Sequence, residues 1–172
     1  MTWYDLDLPE VMAVCCKLLD ETPRNRFLGC SALDSSWMDA IRDDNQHYLF
    51  LAEGVLPYFK EAKVRHLILA LGDRFPGPEV VFDAMSPFLV HTHSLELAFS
   101  RINARLQWGL KRDQDVEAWG AGIRLLSRWS FFEQHEPRLD LFRLLRFFPG
   151  MDRSVQILRY RLGDRVEGAT IE

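Results

Sequence analysis

Four acidic residues stand where short apolar runs end, and that spacing is the chemistry this chain offers. Asp7 closes Thr2-Trp3-Tyr4-Asp5-Leu6-Asp7, Asp34 follows the run Arg26–Leu33, Glu53 follows Gln46–Ala52, and Asp83 ends Glu79–Asp83. Each run reads as a β-strand, and in an open α/β sheet ligands bind beyond the carboxyl ends of the strands. A carboxylate there accepts hydrogen bonds from the two hydroxyls of a ribose, so acids at successive strand ends would line one crevice of a nucleoside site. Each acid alone reads equally well as a helix cap or turn residue, and Asp34 before Ser35-Ser36-Trp37 fits a cap.

Other side chains offer less. His91-Thr92-His93 share a face only on a strand, and no third ligand lies nearby. A place in a substrate pocket or on the surface suits them better than a metal. Tyr58 and Trp108 fit a pocket wall, although aromatics are more often core. Cys15 and Cys16 are adjacent on a helix and point apart, so with Cys30 they form no disulfide framework, which suits a reducing, cytoplasmic compartment.

The elements that position these residues alternate. Pro9 sits in the first turn of a helix over Glu10–Leu19, with Val11, Val14 and Leu18 at helical spacing. A short helix covers Ser36–Ile41. The continuous apolar run Gln46–Ala52 reads as a central strand. Pro57 opens the longest helix, to Arg74, before Pro76-Gly77-Pro78. Helix is expected over most of Ser86–Arg101, over Asp113–Trp119 and over Arg138–Phe147, where Leu and Phe recur all round and packing is favoured over a lid. Leu106–Leu110 is extended, and strands follow over Ile123–Glu133 and Ser154–Leu162, whose relative direction the connection leaves open. The order is α/β with a mostly parallel sheet, one domain over 1–172.

With 172 residues, 48% hydrophobic and 27% charged, the chain has ample core material. Its net charge of -4 argues against nucleic acid as a partner, and no apolar run reaches membrane-spanning length. Charge is uneven: residues 1–60 carry ten acids and five bases, whereas 138–165 carry seven Arg and three Asp, a solvated face first and an anion-binding surface second.

Four motifs in register carry a resemblance. Trp3–Val11 (WYDLDLPEV), Cys30–Asp39 (CSALDSSWMD), Ala52–Phe59 (AEGVLPYF) and Val81–Pro87 (VFDAMSP), with Gln107–Leu110 and Trp129–Phe132 in the tail, resemble the leucine carboxyl methyltransferase-like family, most closely its polyketide-synthesis O-methyltransferase branch. The resemblance implies a class I S-adenosylmethionine-dependent methyltransferase: a Rossmann-like sheet, mostly parallel, with an antiparallel final strand. It implies that Asp7 binds the ribose hydroxyls, that Asp34 accepts from the adenine amino group with Leu33 beside the ring, and that Glu53 lies near the methionine end. Nothing in the sequence matches the family's first strand and Gly-rich loop, so a chain truncated at its N-terminus is expected. A second chain completing the sheet, as a homo-oligomer or split-gene partner, would follow. The expected reaction is methyl transfer to a carboxylate or phenol-like oxygen of a small molecule, with no general base named by the residues. The rivals are an inactive remnant serving association and a nicotinamide-dependent dehydrogenase, in which Asp34 and the Ala-Glu-Gly turn would have no role.

Overall fold

The structure is a computed structural model, and it describes residues 1–41, 47–93, 105–130 and 153–163. It divides into two compact units, Met1–His47 and Tyr48–Glu172. The expected helix over Arg138–Phe147, and the ends of the expected elements at Arg101 and Glu133, lie outside the described residues.

In the first unit, strand β1 (Trp3–Asp7) pairs in parallel with β2 (Asn25–Gly29), joined by helix α1 (Pro9–Leu18). Pro9 opens α1 as expected, because a first-turn residue needs no amide donor. The packed face of α1 differs from the expected one. Met12 is buried, whereas Val11, Val14 and Leu18 are exposed, and so is Cys16. Apolar residues occur on more than one side of this helix, so spacing alone does not select the side that meets β2. The outer edge of β2 is closed by side chains: Glu21 accepts from the Phe27 amide at 2.9 Å and Thr22 from the Asn25 amide at 2.9 Å.

The second unit is a four-stranded sheet in the order β3-β4-β6-β5, comprising β3 (Leu49–Ala52), β4 (Glu79–Met85), β5 (Arg124–Ser130) and β6 (Val155–Arg161). The β3–β4 pair is parallel, and β6 enters antiparallel between β4 and β5. That pairing fixes the direction the sequence left open and is the antiparallel final strand the resemblance implies. Helix α2 (Glu61–Arg74) buries Val64, Leu67, Ile68 and Leu71, the i, i+3, i+4, i+7 stripe of a core-facing helix. It starts later than Pro57: Leu56–Tyr58 form a single 3-10 turn, and Phe59 and Lys60 are extended before the helix begins.

Alternation along β4 and β6 gives the sheet one dry face. Val80, Phe82, Ala84, Leu158 and Tyr160 are buried on it, with Phe82 stacked on Tyr160 at 5.6 Å between ring centroids. Two sequence expectations change here. Among the described residues β3 pairs with β4 alone, where pairing on both sides is expected, and Leu49 and Leu51 are about half exposed, at 51% and 53%. The run Glu79–Asp83 also continues to Met85, because β6 pairs along its whole length up to Met85 opposite Val155. Asp83 therefore lies inside the strand, not at its end.

On the opposite face Glu79 is clasped by Arg159 (Nε to Oε2, 2.7 Å) and Arg161 (Nη2 to Oε1, 2.9 Å). The Arg161 hydrogen bond holds the carboxyl below its ordinary value of 4.5, against the opposing effect of burial and with further help from Arg159. The folded pKa is depressed, so the stabilisation is complete above about pH 4.5 and is lost as pH falls through the folded value. Both arginines are partly exposed, which limits the contribution to about 1 kcal/mol. Glu79→Gln is expected to lower Tm by about 3 °C at pH 7 and to match the parent near pH 3, read by calorimetry across pH. An equal deficit at both pH values would show that charge plays no part.

Candidate functional site

Asp7 ends β1 and is exposed; its Oδ1 accepts from the next amide, Leu8 N–H, at 2.7 Å. In the parallel register Asp7 lies beside Gly29, the last residue of β2, so the chain leaving β2 departs next to this carboxylate. That segment is held by its own hydrogen bonds. Ser31 accepts from Leu33 N–H through its hydroxyl (3.2 Å) and from Asp34 N–H through its carbonyl (2.9 Å), and the Trp37 indole donates to the Ala32 carbonyl at 3.2 Å. Trp37 and Met38 are buried and anchor the 3-10 helix Ser35–Ala40. Asp34 caps that helix, accepting from Ser36 N–H at 3.0 Å. The Ser36 backbone and then side-chain hydrogen bonds hold its carboxyl below the ordinary range, so it is an ionised acceptor at neutral pH. One unit thus presents two exposed carboxylates, Asp7 at the end of β1 and Asp34 at the cap of the 3-10 helix that follows β2.

Nearby, the Cys30 thiol is pushed up, first by burial and then by the Asp34 charge, which keeps it protonated. Glu53 belongs to the second unit. It is exposed in the turn after β3, where Gly54 adopts a φ of 63°. This turn is fixed by a residue whose part the sequence did not disclose: Asp83 Oδ1 accepts from Gly54 N–H at 2.7 Å. Asp83 is thus a lock on the Ala-Glu-Gly turn rather than a fourth acid at a strand end.

The expected pocket residues fare differently. Trp108 is buried between Phe82 (6.0 Å) and Trp119 (5.8 Å), so it is core rather than an open wall. Tyr58 is half-buried, and its carbonyl accepts from the Gln107 side chain at 2.6 Å. His91 and His93 fall on helix α3 (Pro87–His93), where positions two apart diverge by about 200°; the strand geometry needed to put them on one face is absent. His91 is exposed. The short extended segment Leu106–Leu110, expected from the sequence, ties the end of β4 to the turn at Pro57, a role its local residues do not announce. Gln107 and Trp108 amides both donate to the Pro57 carbonyl, at 2.7 and 3.1 Å, and Leu110 N–H donates to Met85 at 2.8 Å.

No known family profile matches the sequence. The tetracenomycin polyketide synthesis O-methyltransferase TcmP of Streptomyces glaucescens is 27% identical over 131 residues, 76% of this chain and 48% of TcmP. The chain thus spans about half the length of this curated relative. A methyltransferase structure from Thermobifida fusca superposes with a TM-score of 0.66 at 13% identity, over 95% of this chain and 64% of that one. A DUF574 family protein from Streptomyces avermitilis gives 0.63 at 15%, over 92% and 64%. The N-methyltransferase NodS of Bradyrhizobium japonicum, in complex with S-adenosyl-L-homocysteine, gives 0.53 at 13%, over 95% and 67%. These likenesses bear on the fold, and the TcmP match bears on descent. The chain carries the class I methyltransferase fold and is similar in sequence to the polyketide synthesis O-methyltransferase TcmP.

Proposed function

We propose that residues 1–172 form part of an S-adenosylmethionine-dependent O-methyltransferase that methylates a carboxylate or phenol-like oxygen of a small molecule in the cytoplasm. The observation that carries this reading is the pair of exposed acids in the first unit, Asp7 at the end of β1 and Asp34 in the hydrogen-bonded segment after β2. The donor set fits the cofactor's nucleoside: two carboxylate acceptors suit two ribose hydroxyls and one adenine amino group, the groups of that moiety that donate. Asp7 would take the ribose, Asp34 the amino group and Leu33 one side of the ring. When bound, the cofactor supplies a methyl already activated by its sulfonium. The chain's own part is to orient the nucleophile and exclude water. A carboxylate acceptor needs no general base, whereas a phenol with a pKa of about 10 benefits from one.

Calorimetric titration with S-adenosylhomocysteine tests the reading. One-site binding is expected, weakened at least tenfold in Asp7→Ala, since a hydrogen bond to a charged group contributes about 1.5–3 kcal/mol. Equal binding by the parent and Asp7→Ala would remove Asp7 from the site.

A second reading is an inactive remnant or split half that serves association with a second chain completing the sheet. It is favoured by the edges of β1 and β3, which no other strand among the described residues covers. A folded chain that binds no S-adenosylhomocysteine would support it over the first.

A further inference from the structure

We draw no further inference here: the strongest candidate, the acids Glu53 and Asp83 at the turn after β3, carries nothing, because Asp83 serves to hold that turn through Gly54 N–H and no second feature among the described residues points to a ligand there.

Discussion

Arg128→Ala is expected to cost about 3 kcal/mol, the lower end of what breaking a buried ion pair costs. Asp113 is 4% exposed, and its Oδ2 accepts from Arg128 Nη1 at 2.8 Å, while among the described residues no group donates to its Oδ1. A buried carboxylate with one cationic partner is left uncompensated when that partner goes, and the penalty of a lone buried charge exceeds the worth of the pair itself. Arg128 is itself 36% exposed, so water relieves part of the penalty. The carboxylate stands beside the best-packed part of the sheet: the Tyr160 hydroxyl donates to the Asp113 main-chain carbonyl at 2.7 Å. Burial first, and the Asp113 charge second, raise that phenol well above its ordinary range, so it remains a donor at any working pH. Urea unfolding checks the cost. Arg128→Ala combined with Asp113→Asn should recover more than half of the loss, because the neutral amide no longer needs a cation. A single-variant cost under about 1 kcal/mol, or no recovery in the double variant, would mean that the carboxylate is solvated from elsewhere.

The same region shows what the sequence discloses and what it withholds. Alternation over Ser154–Leu162 marks a half-buried strand, and the run Glu79–Asp83 reads as a buried one, but only the pairing sets Val80, Phe82, Leu158 and Tyr160 on one dry face. The direction of the last strand relative to the one before it depends on a connection, and only pairing fixes it. The Asp113–Arg128 pair spans 15 residues between a loop and a strand, and nothing in either local sequence announces it. Asp34 carries two expectations, a cap and a nucleoside-binding acid, and it does cap its helix; a carboxylate has acceptor sites enough to keep one for a ligand. Asp83 was misread because strand length is a non-local quantity: β6 extends β4 by two residues, and the side chain then meets Gly54 instead of the end of the sheet.

Apolar runs are similarly ambiguous. Gln46–Ala52 lacks polar alternation, which marks a strand that is not designed to face water on one side. That pattern does not separate a central strand from an edge that takes a partner. Val11, Val14 and Leu18 pose the same question on α1, where helical spacing is satisfied while Met12 is the residue that packs. The candidate acids are singled out by motif order and strand ends. Their supporting hydrogen bonds, from Ser31 and from the Trp37 indole, involve residue types too common to single out in advance.

The remaining large effect is expected at Gly109, where alanine should destabilise the second unit by about 3 kcal/mol, toward the upper end of overpacking costs. A Cβ there would lie 2.7 Å from both Cα and N of Pro87 and 3.0 Å from the Ser86 carbonyl carbon. These are backbone atoms, at the point where β4 becomes α3, and a proline ring leaves little freedom to yield. The flanking residues cannot give either. Trp108 is buried against Phe82 and Trp119, and Leu110 N–H is bonded to the Met85 carbonyl at 2.8 Å. The expected readouts are a lower urea midpoint and faster hydrogen exchange at the Leu110 amide, whose acceptor is displaced first. Gly54→Ala is the control. Its φ of 63° imposes strain of about 1 kcal/mol on any residue with a side chain, but its Cβ meets nothing within 4 Å. Gly109→Ala should therefore be the more damaging of the two. The reverse order would place the weakness of the fold in the Ala-Glu-Gly turn, and would make the Asp83 lock, not the crossing segment, the element that holds the carboxyl ends of β3 and β4 in place.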